Sequence, residues 1–379
     1  MTINLKEELA DYGQTVLVFQ GGGALGAYQA GVYEALHEAG IEPDWVIGTS
    51  IGAINASLIA GNKPENRMSA LKAFWQRMEH GQEFETPFGS LFGNAGRTMS
   101  AIMGGIPAFF TPNPMAFLSA HVPLGADDAG YYSVEPLRKN LNDLVDFDII
   151  NHGETRMTVG AVNVQTAEMR YFDTRDTRLD VRHVMASGAL PPAFPAVRID
   201  DELYWDGGIV SNTPVEAVFD DHPRRNAVVF AVHLFNPHGD EPKSIWEVTN
   251  RQKDIQYSSR AASHIKRQRQ LHKLRHVITE LASLVPAGSV PAKAVEELAG
   301  YGCVTRMHVV RLLAPQLDNE DHSKDVDFSP SGIRERWDAG YRHTAEMLEN
   351  GPWRGDFDPL EGFILHEAMG GKLVDVAAV

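Results

Sequence analysis

A serine between two glycines lies at residues 48–52, where the sequence reads Gly-Thr-Ser-Ile-Gly. The run before it, from Trp45, is apolar, and alanine and other small residues follow Ser50. A G-x-S-x-G motif between a strand and a helix is typical of a nucleophile elbow, in which a strained turn exposes the serine hydroxyl. The context predicts that Ser50 is a catalytic nucleophile and that Gly48 and Gly52 permit the turn.

A second glycine motif, Gly-Gly-Gly-Ala-Leu-Gly at residues 21–26, follows an apolar run one strand earlier. It formally matches the dinucleotide fingerprint G-x-G-x-x-G, which needs an acid at the carboxyl end of the second strand. Asp44 has the right distance but precedes that strand. A glycine-rich turn at a helix start also presents free N–H groups that suit an oxyanion. The motif alone leaves both interpretations open, and the serine elbow favours the oxyanion.

An aspartate, rather than a histidine, is the predicted base for this serine. Histidines are scattered singly along the chain, and none forms a motif. Asp206 follows a short apolar run and precedes Gly207 and Gly208, which allow close backbone approach. Taken by itself, Asp206 fits the turn-forming aspartate of an Asp-Gly hairpin better. Together with Ser50 it predicts a Ser–Asp dyad.

The elements that must position these residues alternate between apolar runs and helical patterns, which predicts an α/β fold around a mostly parallel sheet. Strands are predicted at 15–20, 45–48, 156–164, 169–172, 203–205, 227–234 and 307–313. Helices are predicted at 27–39, 50–60, 181–187, 214–219 and 333–348, and a long helix at 243–286 with a break near Ser258 and Ser259.

We expect two parts in this chain: a catalytic domain at 1–238 and a mainly helical extension at 239–379 that returns the strand 307–313 to the sheet. Within the first part, residues 87–130 are rich in proline and bulky apolar side chains. They predict either an irregular loop packed on the core or a lid or acyl pocket.

Composition narrows the class of protein. With 43% hydrophobic and 22% charged residues, the chain resembles a soluble globular protein, not a disordered, collagenous or membrane-spanning one. The one cysteine, Cys303, excludes an internal disulfide and a cysteine-based metal cluster, and residues 1–14 lack a secretory signal pattern. We therefore expect a cytoplasmic location. The net charge of −16 argues against nucleic acid as the main partner.

The charge is unevenly distributed, because residues 251–275 carry eight basic side chains and one acid. This basic segment is either a solvated helix face that balances an acidic neighbour in the chain or in an oligomer, or a peripheral contact for an anionic membrane surface. Ile265, Leu271 and Leu274 are expected to pack in the interior, which favours the first interpretation. The acidic stretch Asp318–Asp327 lacks the spacing of a calcium loop and is predicted to be solvated surface.

Four ordered blocks are similar to those of the patatin-like phospholipases: residues 21–26, 48–52, 186–195 and 206–208. The resemblance covers roughly residues 15 to 235 and implies a three-layer α/β/α fold. The part after about residue 240 resembles a helical extension found in a bacterial branch of that family.

This resemblance implies the roles of individual residues. Ser50 would be the nucleophile and Asp206 its dyad partner, with the N–H groups of Gly22, Gly23 and Ala24 as the oxyanion hole. Many members carry Arg or Lys where this chain has Leu25, so the help of that cation is absent. The glycines expected to permit the turns are Gly21, Gly26, Gly48, Gly52, Gly207 and Gly208.

The sequence thus predicts a serine acyl-ester hydrolase of the lipid acyl hydrolase or phospholipase type, which needs neither a metal nor a cofactor. Its expected partner is a lipid or another acyl ester, and homo-oligomerisation stays open. One alternative is an acyltransferase, although we would expect histidine where this chain has Thr49. A non-catalytic lipid-binding or scaffold protein is the other, if the dyad is not assembled.

Overall fold

The computed structural model describes residues 5–79, 105–117, 121, 123–286, 292–317, 324–358, 360–369 and 372–375. In chain order the strands of this part are β1 (Gln14–Phe19), β2 (Trp45–Gly48), β3 (Thr111–Pro112), β4 (Tyr132–Ser133), β5 (Arg156–Asn163), β6 (Met169–Asp173), β7 (Val197–Ile199), β8 (Glu202–Asp206), β9 (Ala227–His233), β10 (Met307–Leu313), β11 (Phe363–Met369) and β12 (Lys372–Asp375).

The helices of the same part are α1 (Leu5–Ala10), α2 (Ala27–Glu38), α3 (Ile51–Ala60), α4 (Pro64–Met78), α5 (Glu135–Leu144), α6 (Phe147–His152), α7 (Val181–Ser187), α8 (Glu216–Phe219), α9 (Ile245–Ser283), α10 (Ala292–Ala299) and α11 (Pro330–Asn350). No helix among the described residues is long and apolar enough to cross a bilayer.

One large sheet organises the chain, with the strand order β12-β11-β10-β9-β1-β2-β5-β8-β7 and β6 paired to β5. The six strands from β11 to β5 in that order run parallel, whereas β12, β6 and β8 are antiparallel to their neighbours. The mostly parallel sheet confirms the predicted α/β class.

Apolar residues alternate between the two faces of this sheet, as the pleat requires. On one face Leu17 and Phe19 pack in the larger core with α2, α3 and α4. On the other face Val16 and Val18 pack with α8 and, through Ile265, with α9. Helices therefore cover both faces, and the architecture is a three-layer α/β/α sandwich.

The chain after residue 239 is joined closely to the rest. Strands β10, β11 and β12 extend the sheet beyond β9, so the sheet runs across the predicted boundary at 238, and the two-domain division stays a prediction. Helix α11 crosses α2 at close range through two glycines. A Cβ on Gly31 would lie 1.9 Å from the Trp337 carbonyl oxygen, and one on Gly340 would lie 2.1 Å from that of Tyr28.

The structure differs from the sequence-based prediction in several elements. The long helix α9 is continuous from Ile245 to Ser283, so the break expected near Ser258 was wrong. Ser258 donates its hydroxyl to the backbone carbonyl of Asp254, which satisfies it without interrupting the helix. Helix α4 and strands β11 and β12 were not predicted.

Aromatic side chains gather where the loop or lid was expected. Of the 87–130 stretch, residues 87–104, 118–120 and 122 lie outside the described residues. In the described part, the ring of Phe110 lies 4.8 Å from that of Tyr132 and 5.5 Å from that of Phe194, and Phe109 lies 5.9 Å from Phe328. This aromatic cluster connects the loop to the chain just before α11.

Candidate active site

Ser50 occupies a strained turn between β2 and α3. Its φ of 57° and ψ of −127° are rarely adopted by residues with a side chain. Neighbouring glycines make the turn sterically feasible: a Cβ on Gly48 would lie 2.3 Å from the backbone of Gly52, and one on Gly52 would lie 2.3 Å from the Phe19 carbonyl oxygen. The local geometry is that of a nucleophile elbow, with Ser50 at its apex.

Strand pairing explains why Ser50 and Asp206 meet. One edge of β5 pairs with β6, and the opposite edge pairs first with β2 and then with β8. Strand β2 is parallel to β5 and ends at Gly48 opposite Val159, whereas β8 is antiparallel and ends at Asp206 opposite Ala161. The carboxyl ends of β2 and β8 therefore face each other across Gly160.

Asp206 is held in a buried pocket at this junction. Its side chain is 3% exposed, and the Gly208 N–H donates to its Oδ1 at 2.7 Å. Burial raises the pKa of the Asp206 carboxyl to about 7, although the hydrogen bonds from Gly208 and the Ser50 side chain partly oppose this rise. Among the described residues, no histidine contributes to the pKa of Asp206. The Ser50 side chain therefore lies close enough to the Asp206 carboxyl to lower its pKa.

Two further glycines allow the backbone to close around Asp206. A Cβ on Gly207 would lie 2.5 Å from the Gly160 carbonyl oxygen, and one on Gly208 would lie 2.7 Å from Asn212 Oδ1. Both positions therefore favour glycine, as the sequence indicated: Gly207 because the loop after β8 lies against β5, and Gly208 because the Asn212 and Asp206 side chains fill the adjacent space.

The sequence prediction missed two residues that support the elbow. Ser187 accepts a hydrogen bond from the Ser50 N–H at 3.0 Å and donates to the Gly160 carbonyl at 2.6 Å. Asn212 exchanges two hydrogen bonds with Gly21, each of 3.1 Å. Ser187 lies inside the 186–195 block, so its position carried a signal, whereas nothing in the sequence singled out Asn212.

The glycine loop at 21–24 lies directly beside the serine. A Cβ on Gly21 would lie 2.9 Å from the Cβ of Ser50, and a Cβ on Gly26 would lie 2.5 Å from the Ile51 side chain. The loop also contacts Asp325, whose carbonyl accepts the Ala24 N–H at 2.8 Å. Within the described part of the chain, the N–H groups of Gly22 and Gly23 have no acceptor.

The family model of the patatin-like phospholipases matches residues 17–219, which is more than half of the chain. The chain belongs to the patatin-like phospholipase family. A second model, described as patatin phospholipase, matches residues 255–360 and covers much of α9 and α11. This match confirms the predicted family.

Three relatives of this family member match parts of it. An uncharacterized NTE family protein of Mycobacterium tuberculosis is 28% identical over 206 residues, which are 54% of this chain and 28% of that protein. A lysophospholipase of Aspergillus terreus is 59% identical over 44 residues, 12% of this chain and 3% of that protein. A triacylglycerol lipase of Schizosaccharomyces pombe is 33% identical over 79 residues, 19% of this chain and 16% of that protein.

The chain spans less than a third of the length of the mycobacterial relative. Among solved structures, VipD from Legionella pneumophila aligns with 15% identity and a TM-score of 0.37, over 89% of this chain and 67% of that chain.

This family member departs from the common pattern at Leu25, which follows the glycine loop at 21–24. Leu25 is 3% exposed and packs in the larger core with Tyr28. An apolar side chain therefore occupies the position at which many members carry a cation.

Proposed function

We propose that this protein is a serine acyl-ester hydrolase acting on lipid esters, with Ser50 as the nucleophile and Asp206 as the general base. The observation that carries the proposal is the convergence of a strained serine and a buried, hydrogen-bonded aspartate at the ends of β2 and β8. Membership of the patatin-like phospholipase family supports it.

The proposed reaction proceeds in two balanced steps. The Asp206 carboxylate takes the Ser50 proton while Oγ attacks the ester carbonyl carbon, and the resulting oxyanion accepts hydrogen bonds from Gly22 and Gly23. When the tetrahedral intermediate collapses, the ester C–O bond breaks and Asp206 gives its proton to the leaving alkoxide. Water then attacks the acyl-serine carbonyl carbon while Asp206 takes a proton from it. The acyl C–Oγ bond breaks, Asp206 returns the proton to Ser50 Oγ, and the carboxylic acid leaves.

The elevated pKa suits Asp206 to this role. An ordinary aspartate is a weak base, whereas a carboxyl group with a pKa of about 7 is a stronger base that is still partly deprotonated near neutral pH. General bases work best when their pKa lies near the operating pH. Burial therefore gives Asp206 the basicity that a histidine supplies in other serine hydrolases.

We propose fewer N–H donors for the oxyanion than the sequence predicted. Gly22 and Gly23 are partly exposed, so a substrate can reach their N–H groups. Ala24 is buried, and its N–H is engaged by the Asp325 carbonyl. We therefore assign the oxyanion to the first two donors.

Apolar side chains near the dyad fit a lipid substrate. Leu190 lies three residues after Ser187, whose hydroxyl bonds to Ser50, and Ile209 lies three residues after Asp206. Leu190 and Ile209 are both 37% exposed. Exposed large apolar groups close to a catalytic serine favour an acyl chain over a polar substrate.

A peripheral contact with an anionic membrane surface forms part of the same proposal, together with a cytoplasmic location. On α9 the basic side chains Lys266, Arg267 and Lys273 are exposed. Leu271 and Leu274, expected to be interior, are 36% and 58% exposed, so that expectation was wrong. Mixed cations and apolar groups on one exposed surface are typical of interfacial helices.

Turnover of p-nitrophenyl acyl esters by the wild type and by Ser50→Ala tests the hydrolase. We expect Ser50→Ala to lose on the order of 10³-fold or more in kcat/KM, with an unchanged circular dichroism spectrum. Ser69→Ala, an exposed serine on α4, is the matched control and should keep wild-type turnover. A fluorophosphonate should label the wild type but not Ser50→Ala.

Retention of most activity by Ser50→Ala would contradict the proposal. An inactive Ser50→Ala together with an active Asp206→Asn and one inactive His→Ala variant would replace the dyad by a triad. A wild-type protein that binds lipid but neither turns over ester nor reacts with the phosphonate would be a lipid-binding protein.

A further inference from the structure

The oxyanion loop is held at both ends and open in the middle. At its start, Gly21 exchanges two hydrogen bonds with Asn212. At its end, the Ala24 N–H donates to the Asp325 carbonyl at 2.8 Å. The two N–H groups between these anchors, on Gly22 and Gly23, are the proposed oxyanion donors. The second anchor comes from the chain after residue 239.

Two crossed ion pairs hold the second anchor on helix α9. Lys253 Nζ lies 2.8 and 3.0 Å from the two carboxylate oxygens of Asp325. The neighbouring pair, Lys324 with Asp254, is 2.7 Å long, and its side chains are 5% and 8% exposed. Adjacent residues of α9 thus bind adjacent residues of the segment, which fixes the direction as well as the position of the chain at Asp325.

The other end of this segment is anchored as well. Phe328 stacks on Trp75 with ring centroids 6.2 Å apart and contacts Phe109. The Arg336 guanidinium of α11 donates to the Asp327 carbonyl at 2.9 Å. Segment 324–328 is therefore fixed by α4, α9 and α11 together. Its acids Asp325 and Asp327 are half-buried and bind Lys253 and Arg336, so the prediction of solvated surface was wrong for them, whereas residues 318–323 of that stretch lie outside the described residues.

Three successive glycines need such support, because glycine has more backbone freedom than any other residue. Oxyanion donors accelerate a reaction only if they already point at the oxyanion before the charge develops. Gly23 has a φ of +56°, and a Cβ there would lie 2.1 Å from the Asp325 carbonyl oxygen. The segment therefore contacts the loop at the residue that carries one of the donors.

We propose that segment 324–328 is a brace for the oxyanion loop, with Asp325 and Lys253 as positioning residues for the reaction. The proposal rests on the proposed function for its kinetic consequence, although the contact itself does not. It gives the region after residue 239 a role in catalysis: the Lys253–Asp325 ion pair aligns the Asp325 carbonyl, and this carbonyl aligns the donors of Gly22 and Gly23.

Removing the ion pair from either side tests the brace. We expect Lys253→Met and Asp325→Ala each to lower kcat on soluble esters about tenfold, less than the 10²–10³ typical of a lost donor. KM should change little, because the oxyanion forms only after binding. The conservative Lys253→Arg variant should restore most of kcat.

The matched control is Arg269→Gln. Arg269 lies on α9, like Lys253, and this variant breaks its half-buried ion pair with Glu361, away from the glycine loop. Arg269→Gln should lose a similar amount of thermal stability to Lys253→Met and Asp325→Ala, and its kcat should equal that of the wild type. Amide hydrogen exchange of residues 21–26 should be faster in Lys253→Met and Asp325→Ala, and unchanged in Arg269→Gln.

An unchanged kcat together with unchanged amide exchange in both Lys253→Met and Asp325→Ala would overturn the proposal. A raised kcat would overturn it too, because it would show that the segment blocks the site instead of supporting it. If the wild type lacks esterase activity, the proposed function fails, and the exchange of residues 21–26 still decides whether segment 324–328 holds the loop.

Discussion

Asp206→Asn should stabilise the folded protein at alkaline pH while abolishing turnover. Burial raises the pKa of Asp206 from its ordinary value of 3.8 to about 7. A carboxyl group whose pKa is raised on folding contributes its full stability below the unfolded pKa and loses it as the pH rises through the folded pKa. Asparagine has nearly the same shape and no charge, so the variant avoids this loss.

The magnitude follows from the rise in pKa. From 3.8 to about 7 it corresponds to about 4 kcal/mol, since one pKa unit is worth about 1.4 kcal/mol. The part above pH 5 is about 3 kcal/mol. The free energy of unfolding of Asp206→Asn, relative to that of the wild type, should therefore increase by about 3 kcal/mol between pH 5 and pH 8.

Urea denaturation of wild type, Asp206→Asn and Ser50→Ala at both pH values measures this difference. Ser50→Ala is the control, because it is also expected to be inactive but keeps the buried carboxyl group. It loses the hydrogen bond that lowers the pKa of Asp206, so its stability relative to wild type should stay level or fall at pH 8. A difference for Asp206→Asn that does not change with pH would refute the reasoning.

Three further predictions test the site and its surroundings. The kcat/KM for a soluble ester should rise as the pH increases through about 7, because the pKa of Asp206 is raised to that value and its carboxylate is the active form; a plateau already reached at pH 5 would contradict this. Gly23→Ala should lower kcat on the order of 10²–10³-fold, whereas Gly40→Ala, with φ +75° and nothing within 4 Å of its Cβ, should keep wild-type kcat; equal kcat in both variants would show that Gly23 faces elsewhere. Changing Lys266, Arg267 and Lys273 to Gln should weaken binding to anionic vesicles, measured by sedimentation, by roughly 1 kcal/mol per cation and leave soluble-ester turnover unchanged. A wild type that does not bind these vesicles at low salt would contradict the membrane contact. Arg269 is left out of this set because it forms an ion pair with Glu361.

Elements near the candidate site were predictable because their sequence pattern is local. Strand β2 is buried on both faces, so every residue in it is apolar and the run stands out from its neighbours. Glycines mark the turns at Ser50 and Asp206, because a Cβ at these positions would clash with the neighbouring atoms. Residue type and order along the chain therefore carried most of the information about the dyad.

Contacts between distant segments could not be predicted in the same way. Nothing about Asp325 in the sequence distinguishes it from the other acids of a stretch that looked solvated. Its role depends on α9 presenting Lys253 at the right place. Leu271 and Leu274 show the same limit, because helical spacing identifies an apolar stripe but not whether another element covers it.

The position of β9 explains why the region after residue 239 can act on the glycine loop. Strand β9 lies between β1, which leads into the loop, and β10, which belongs to the later region. Helix α11 packs across α2, the helix that follows the loop, and Ile265 of α9 packs in one core cluster with Val16 and Val18 of β1, so the later region contacts both elements that flank the donors. The region after residue 239 therefore contacts β1 and α2 and supplies the Asp325 carbonyl that binds the Ala24 N–H. The shape of the glycine loop depends on that region. The second family match, at residues 255–360, covers Asp325 and much of α9 and α11, and so coincides with the part of the chain that makes these contacts.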